Sequence, residues 1–255
     1  MTDLHPAAIL EQCRTAGLCG SVVLFDETDS TNRIAAHAAA RGEEGILFLA
    51  ERQRGGYGRN GRRWHSAPGK DLIVSFTLRP ERDPHGLTSL AALACARALS
   101  CETGEISIKW PNDLYIGERK VGGILAESKG GGVGLGIGLN VNGTLDDFPQ
   151  ELRAIATSIR IETGVVHRRH DILIRLIETL GSFYRGWTEA GLVRYIEELS
   201  GLMLYMGEEV SLESGGTSVE GVMSGITDDG RLRLDISGEE RCFTVGDLTM
   251  RRRRK

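Results

Sequence analysis

Two basic segments of the sequence carry residue types suited to binding and activating anions. The first, Glu51–Trp64 (ERQRGGYGRNGRRW), holds five arginines and four glycines and ends in a tryptophan. Arginine makes bidentate hydrogen bonds to carboxylates and phosphates. Glycine allows sharp bends and a close approach to a ligand. Because the segment has almost nothing apolar to bury, we predict a mobile loop that folds over a phosphate-bearing ligand.

The composition of this loop also suits a solvated basic loop or a nucleic-acid patch. Gly56, Gly58 and Gly61 satisfy the dinucleotide-binding pattern G-x-G-x-x-G, but that pattern requires a helix to begin at the last glycine. Here RRWHSAPG follows, and we expect no helix there. The P-loop pattern G-x-x-x-x-G-K-S/T does not occur in the chain.

The second basic segment begins with KWPNDLY. Pro111 restricts Trp110 to an extended conformation and favours a turn. This turn places Asn112 and Asp113 at the end of a strand, where polar side chains can face a ligand.

The same segment continues with RKVGGILAE, in which Lys120 begins a strand just before Gly122 and Gly123. An isolated lysine is usually a solvated charge. Glycines that permit close ligand approach favour a buried role for this one.

Periodicity and turn residues indicate the elements that position these segments. We predict strands in residues 22–25, 45–51, 70–80 and 131–142, and three more within 105–128. We predict helices that end at Gly42, span 86–100, begin at Asp171, and end near Leu199. Ser30 or Thr31 is the expected N-cap of the first helix.

Two further stretches have distinctive patterns. GGVGLGIGLNVN alternates glycine with apolar residues, so one face of that strand has no side chains and another group must approach it closely. Beyond Gly201, short alternating segments separated by turns predict a separate five-stranded small barrel. We expect the final RRRRK to be disordered.

Composition excludes several classes of protein. The chain has 255 residues, a net charge of −4 and 40% hydrophobic residues, which suits a globular protein without a general attraction for nucleic acid or anionic membranes. Five cysteines without C-x-x-C spacing argue against a disulfide framework and a zinc site. No leader or membrane-length apolar run occurs, so we predict a cytoplasmic protein.

Five motifs, DSTN, ERQRGGYGRNGRRW, KWPNDLY, RKVGGILAE and GIGLNVN, occur in this order. Through these motifs the chain resembles the biotin protein ligases. The resemblance covers residues Phe25 to about Arg251, and five motifs in the same order make it highly specific. The resemblance implies an α+β fold: a mixed-sheet catalytic domain like that of class II aminoacyl-tRNA synthetases (residues 1–200), an SH3-like C-terminal barrel (201–251) and a basic tail (252–255). About two dozen residues precede DSTN, too few for the DNA-binding module of many relatives, so we expect the monofunctional type.

The resemblance also implies roles for individual residues. Those for biotin are Ser30, Thr31, Asn32, Gln53, Gly56, Tyr57, Gly58, Arg59, Lys120, Gly122 and Gly123. Those for ATP and the adenylate are Arg59, Arg62, Trp64, Asn112, Asp113, Lys120 and Asn140. Lys120 and Arg59 are the implied catalytic residues, and Asp113 is the implied Mg²⁺ ligand.

One position departs from the family pattern. The family usually reads G-R-G-R-x-G-R in the loop, whereas this sequence has Tyr57 at the first arginine. The main chain of Tyr57 can still bind, but a guanidinium is lost. We consider Arg54 as its replacement.

The reaction implied by the resemblance activates biotin with ATP and Mg²⁺ to biotinyl-5'-AMP, and then transfers biotin to a lysine of a biotin carboxyl carrier protein. A lipoate or octanoate ligase of the same fold is the nearest alternative, and a nucleic-acid-binding protein is an alternative from another class. The expected partners include no DNA and no membrane. Homodimers, frequent among relatives, stay an open expectation.

Overall fold

The structure is a computed structural model that describes residues 2–214, 217–244 and 249–252. Its helices are α1 (Pro6–Ala16), α2 (Thr31–Ala40), α3 (Leu87–Thr103), α4 (Ile159–Thr163), α5 (Arg169–Ala190) and α6 (Ile196–Leu202). Its strands are β1 (Ser21–Phe25), β2 (Ile46–Ala50), β3 (Leu72–Leu78), β4 (Ser107–Lys109), β5 (Asp113–Ile116), β6 (Arg119–Lys129), β7 (Gly132–Leu139), β8 (Glu209–Ser214), β9 (Thr217–Ile226), β10 (Leu232–Ile236), β11 (Glu239–Phe243) and β12 (Thr249–Arg252).

Seven strands form one large mixed sheet in the order β1-β2-β3-β7-β6-β5-β4. Only β1 and β2 are parallel, and the other neighbours are antiparallel. Helix α2 packs on β7 and β3, while α3, α5 and α1 pack together and α3 also contacts β6. The predicted α+β class and mixed sheet are confirmed.

Ser30 and Thr31 were the two predicted N-caps of α2, and in the structure the N-cap is Ser30. Ser30 has extended backbone dihedrals, and its side chain accepts a hydrogen bond from the backbone N–H of Arg33. The helix ends at Ala40, and Gly42 follows in the left-handed region with φ 85°. The cap therefore fixes where the DSTN motif enters the helix.

The glycine-rich strand β7 lies under two close neighbours. A Cβ at Gly134 would lie 2.6 Å from the backbone nitrogen of Ala36, and one at Gly136 would lie 2.7 Å from Asn32 Oδ1. A Cβ at Gly138 would lie 2.6 Å from Trp64 Cε2. The predicted close approach is confirmed: α2 covers one part of the strand and Trp64 the other.

The last five strands form a second, fully antiparallel sheet in the order β11-β10-β9-β8-β12. Its core includes Val210, Leu212, Met223 and Leu234. The predicted five strands are confirmed, and SH3-like closure stays a prediction.

The prediction that the final RRRRK is disordered is wrong for its first two residues. Arg251 and Arg252 belong to strand β12 and pair with Ser211 and Val210, which continues the sheet ladder. The rest of the predicted basic tail, residues 253–255, lies outside the described residues.

The N-terminal segment forms a helix that its sequence pattern had not led us to predict. Helix α1 has Pro6 in its first turn and ends at Gly17, whose φ is 68°. It packs against α5. The preceding residues are tied to the start of α5, where buried Arg169 binds Asp3.

No helix among residues 2–214, 217–244 and 249–252 is long and apolar enough to cross a membrane. All five cysteines, Cys13, Cys19, Cys95, Cys101 and Cys242, are free thiols.

Candidate active site

A cavity of about 180 Å³ opens on the face of the large sheet that carries α2. Its floor consists of β3, β6 and β7, and its walls are the start of α2, the arginine-rich loop and the turn before β5. The sheet is thus a rigid floor under segments that project from strand and helix ends, the usual sites of binding residues.

The arginine-rich loop is folded back on itself as a short hairpin. Tyr57 pairs with Arg63 in an antiparallel bridge, and the backbone N–H of Trp64 donates to the carbonyl of Gly56 at 2.9 Å. A single 3₁₀ turn, Arg59–Gly61, forms the tip, where Asn60 has φ 57°. No longer helix begins at Gly61, so the structure lacks the helix that a dinucleotide fingerprint needs.

The indole of Trp64 lies on the two glycines that form the centre of the floor. Besides Gly138, it contacts Gly123, where a Cβ would lie 3.4 Å from Trp64 Cζ3. The Nζ of Lys120 lies 5.7 Å from the centre of the indole ring, a cation–π distance. The ring therefore presents a planar surface beside a cation.

Lys120 is held at the floor by its backbone and its side chain. Its N–H donates to the carbonyl of Ile155 at 2.9 Å, and its carbonyl accepts from Thr157 at 2.8 Å. Its Nζ lies 2.6 Å from Asp113 Oδ1. The side chain of Lys120 is therefore held at the cavity floor by one carboxylate.

The start of α2 supplies a cluster of polar groups. Gln53 Oε1 accepts hydrogen bonds from the backbone N–H of Thr31 at 2.8 Å and from its hydroxyl at 3.1 Å. The Asn32 Nδ2 donates to Glu127 Oε2 at 2.5 Å. The Oδ1 of buried Asn32 has no hydrogen-bond partner and lies against Gly136 of the cavity floor.

The KWPND turn is fixed from two sides. The Trp110–Pro111 peptide bond is cis. The side-chain amide of Asn112 donates to the carbonyl of Ile124 on β6 at 2.8 Å. The indole N–H of buried Trp110 donates to the carbonyl of Gly230, in the turn between β9 and β10, at 3.0 Å. Both sheets therefore position this turn.

The chain is similar to known proteins along most of its length. A model of the "Biotin/lipoate A/B protein ligase family" matches residues 24–143, and one of the "Biotin protein ligase C terminal domain" matches residues 205–250. The biotin–[acetyl-CoA-carboxylase] ligase of Mycobacterium tuberculosis is 34% identical over 234 residues, which is 87% of this chain and 86% of that relative. The chain belongs to the biotin protein ligase family.

Two more relatives agree with this assignment. A second biotin–[acetyl-CoA-carboxylase] ligase, from Paracoccus denitrificans, is 32% identical over 83% of this chain and 92% of its own length. The structure "Biotin protein ligase from Aquifex aeolicus in complex with biotin and ATP" has a TM-score of 0.82, at 28% identity over 91% of this chain and 99% of that chain. The likeness thus extends through both sheets of this biotin protein ligase family member.

The cavity brings together most of the residues that the family resemblance implied. Thirteen of them line it: Ser30, Thr31, Asn32, Gln53, Tyr57, Gly58, Arg59, Arg62, Trp64, Asn112, Asp113, Lys120 and Gly123. Their individual roles stay predictions.

Three residues of the predicted set do not line the cavity. Gly122 was placed in the biotin pocket, but a Cβ there would lie 2.7 Å from Leu139 Cδ2, because alternate residues of β6 face opposite sides of the sheet. Gly56 belongs to the loop but does not line the cavity, and a Cβ there would meet the Gln53 side chain at 2.8 Å. Asn140 is buried past the end of β7 and donates to the carbonyl of Thr157.

Sequence reasoning missed two basic residues that line this cavity. Lys109 comes directly before Trp110 in a motif already singled out, and Arg63 lies in the loop, so position within the motifs was the available signal. Among the described residues, the lining contains five basic side chains and one carboxylate: Arg59, Arg62, Arg63, Lys109, Lys120 and Asp113. The site is strongly cationic on a chain of net charge −4.

The structure does not support Arg54 as a replacement for the missing guanidinium. Arg54 does not line the cavity, and its side chain, 67% exposed, lies 3.4 Å from Glu27 in an ion pair. Position 57 is instead occupied by a phenol directed at Glu127, with 2.6 Å between their oxygens.

Asp71 joins two segments that flank the cavity. Its carboxylate accepts hydrogen bonds from the backbone N–H groups of Ala67 at 2.6 Å and Val141 at 2.9 Å. These residues follow the arginine-rich loop and strand β7. Burial raises the pKa of Asp71 to about 6, although both hydrogen bonds act to lower it.

This raised pKa predicts that stability depends on pH. Between about pH 4, where an unfolded aspartate ionises, and about pH 6, the native state still binds a proton that the unfolded chain has released. The contribution of Asp71 to the free energy of unfolding therefore falls as pH rises through this window.

In urea titrations, wild type should lose stability relative to Asp71→Asn between pH 4 and pH 6. Asp146→Asn, whose side chain is 94% exposed, is the control. A constant or growing advantage of wild type would contradict the assignment.

Proposed function

We propose that this biotin protein ligase activates biotin with ATP to give biotinyl-5'-AMP and pyrophosphate, and then transfers the biotinyl group to a lysine of a biotin carboxyl carrier protein. The cationic cavity carries this proposal: five basic side chains surround a rigid floor on which a planar indole lies beside an ammonium. Both substrates are anions, and the proposed reaction takes place in the cytoplasm, where ATP is available.

The first step joins two groups that repel each other. A carboxylate oxygen of biotin attacks the α-phosphorus of ATP, and the bond from that phosphorus to the pyrophosphate oxygen breaks. Fixed positive charge offsets the repulsion without the reorganisation that water would need. Lys120 is the best placed group, because its backbone is held on both sides and its Nζ lies at the cavity floor.

Asp113 suits a Mg²⁺ ion delivered with ATP. Magnesium commonly uses one or two carboxylates and completes its shell with phosphate oxygens and water. No group of three or more His, Cys, Asp or Glu side chains is arranged for a metal in residues 2–214, 217–244 and 249–252, so phosphates would supply the remaining ligands. When bound, Mg²⁺ would neutralise phosphate charge. Asp113 would hold it on the side of the cavity where Lys120 lies.

The second step requires no nucleophile from this chain. The acceptor lysine of the carrier protein, as a neutral amine, attacks the acyl carbon of biotinyl-5'-AMP, AMP leaves with the bonding electrons of the acyl–oxygen bond, and the amine loses a proton. The protein must hold the intermediate and keep water from it until the carrier arrives. We assign this task to the arginine-rich loop.

Arg59→Gly should let the intermediate escape. Arg59 lies at the loop tip and lines the cavity, so its loss removes a cation that would hold the adenylate. We expect about tenfold faster release of biotinyl-5'-AMP and labelling of lysines on bystander proteins. Labelling is measured by avidin blot against added serum albumin. Arg54→Gly, in the same loop but outside the cavity, is the matched control. Equal labelling by wild type and Arg59→Gly would refute the role.

The direct test combines the protein with biotin, Mg·ATP and a biotin carboxyl carrier domain. Intact-mass spectrometry should show one biotinyl group added to the carrier domain. Competition between radiolabelled biotin and lipoate for adenylate formation separates biotin from lipoate chemistry. No mass change on the carrier, or a preference for lipoate, would overturn the proposal. An affinity for RNA or DNA that falls steeply with salt concentration would favour the alternative, a nucleic-acid-binding protein.

A further inference from the structure

Glu127 lies on the cavity face of β6 but outside the cavity itself. Alternate residues of a strand share a face, and Gly123 and Leu125 line the cavity, so Glu127 is the next residue on that face. It pairs across the sheet with Gly134, where no side chain intervenes and α2 approaches closely. Its carboxylate therefore reaches both α2 and the loop.

One oxygen of this carboxylate accepts two hydrogen bonds from opposite sides. Glu127 Oε2 lies 2.6 Å from the Tyr57 hydroxyl and 2.5 Å from Asn32 Nδ2. The first donor belongs to the arginine-rich loop and the second to α2. Hydrogen bonds to a charged acceptor are among the stronger ones in proteins.

The carboxylate also fixes which way the Asn32 amide points. A carboxylate only accepts hydrogen bonds, so the group that faces it must be the NH₂. The amide oxygen is then directed away from Glu127, and it is buried without a partner on a side chain that lines the cavity. The Glu127 contact thereby leaves an unpartnered amide oxygen on a residue that lines the cavity.

The phenol of Tyr57 is suited to a permanent contact. Burial and the neighbouring Glu127 raise its pKa to about 12, so the hydroxyl keeps its proton at neutral pH and donates it. The guanidinium of Arg33, on α2, lies over the Tyr57 ring at 5.2 Å and is itself paired with Asp29. Tyr57 is therefore held by α2 as well as by β6.

From these contacts we infer that Glu127 is a positioning residue with two tasks: it fastens the arginine-rich loop through Tyr57, and it orients Asn32 as an acceptor for the ureido N–H of biotin. The second task rests on the proposed function, whereas the first does not. The tyrosine at position 57, where relatives usually have arginine, thus keeps a bond to the sheet in place of a charge toward the ligand.

The fastening is tested first without any ligand. Trypsin cleaves after arginine, and Arg59, Arg62 and Arg63 lie in the fastened hairpin, so their cleavage rate reports loop opening. We expect Tyr57→Phe and Glu127→Ala each to raise this rate about tenfold, and the double variant to be no faster than Glu127→Ala. Glu127→Gln retains an acceptor oxygen and should restore most of the protection. Glu178→Ala, exposed on α5, is the control.

The orientation of Asn32 is tested with biotin and Mg·ATP. Glu127→Ala should raise the KM for biotin about tenfold, while Tyr57→Phe should raise it less than threefold because it leaves Asn32 bound to Glu127. Both variants should release biotinyl-5'-AMP about tenfold faster. At saturating biotin, the rate of adenylate formation by Glu127→Ala should stay within about threefold of wild type.

The outcomes separate the two tasks from each other and from the proposed function. Cleavage rates within twofold of wild type, or effects that multiply in the double variant, would overturn the fastening. Equal KM values for Glu127→Ala and Tyr57→Phe would overturn the orientation of Asn32. A wild-type protein that forms no biotinyl-5'-AMP would refute the proposed function and, with it, the orientation task. The tryptic experiment would still decide the fastening.

Discussion

Lys120→Ala should reduce the rate of biotinyl-5'-AMP formation at least about 10²–10³-fold, the loss typical of removing one donor that stabilises developing charge. The Lys120 ammonium is 2.6 Å from Asp113 and 5.7 Å from the Trp64 ring centre. In the proposed reaction, it lies where the carboxylate and the phosphate meet. Alanine leaves both anions unneutralised there. Pyrophosphate release at saturating biotin and ATP measures the effect.

The fold should survive this substitution. The backbone hydrogen bonds of Lys120 do not depend on its side chain, so thermal unfolding should change by only a few degrees. Lys129→Ala, at the exposed far end of the same strand, removes an equal charge and should retain wild-type turnover. Near-normal pyrophosphate release by Lys120→Ala would refute its role.

Arg169→Met should cause a large loss of stability. Only 3% of the Arg169 side chain is exposed, and its guanidinium binds Asp3, Glu51 and the carbonyl of Asp71. Removing one partner of a buried ion network costs about 3–5 kcal/mol, since the other charges lose their compensation. For a chain of this size, we expect the melting temperature to fall by about 10 °C.

The affected charges can be followed individually. Burial acts to raise the pKa of Asp3, but hydrogen bonds from Arg169 outweigh it and hold that pKa below its usual value. In Arg169→Met, the pKa of Asp3 should therefore return upward, as measured by NMR titration. The neighbouring Arg168→Met, whose side chain is 67% exposed, is the matched control. A melting temperature within 2 °C of wild type would contradict the prediction.

Local patterns made much of the site predictable. The glycines of β7 required a close neighbour, because a strand face without side chains leaves room that another group must fill. The arginine-rich loop predicted an anion, but its composition suited a solvated basic loop equally well. Asp113 was placed in the site because its motif follows the end of a strand, Lys120 because it precedes two glycines, and Trp64 by the family resemblance; all three line the cavity.

The rest depends on pairings between distant residues, which no local pattern contains. Glu127 looks like an ordinary strand residue until Tyr57, 70 positions earlier, is seen beside it. Arg169 binds Asp3 across 166 positions. Gly122 was placed in the pocket by the family resemblance, whereas the alternation of strand side chains puts it on the other face of the sheet. Helix α1 was missed although Pro6 and Gly17 mark both of its ends.

The hydrogen bond from Trp110 to Gly230 has a consequence for engineering this protein. The KWPND turn is supported by a loop that lies 120 positions later in the chain. Exchanging the C-terminal sheet for that of a relative would withdraw the acceptor of a buried indole unless residues 227–230 were kept. Chimeric ligases should therefore be joined so that the tryptophan and its supporting loop come from the same parent.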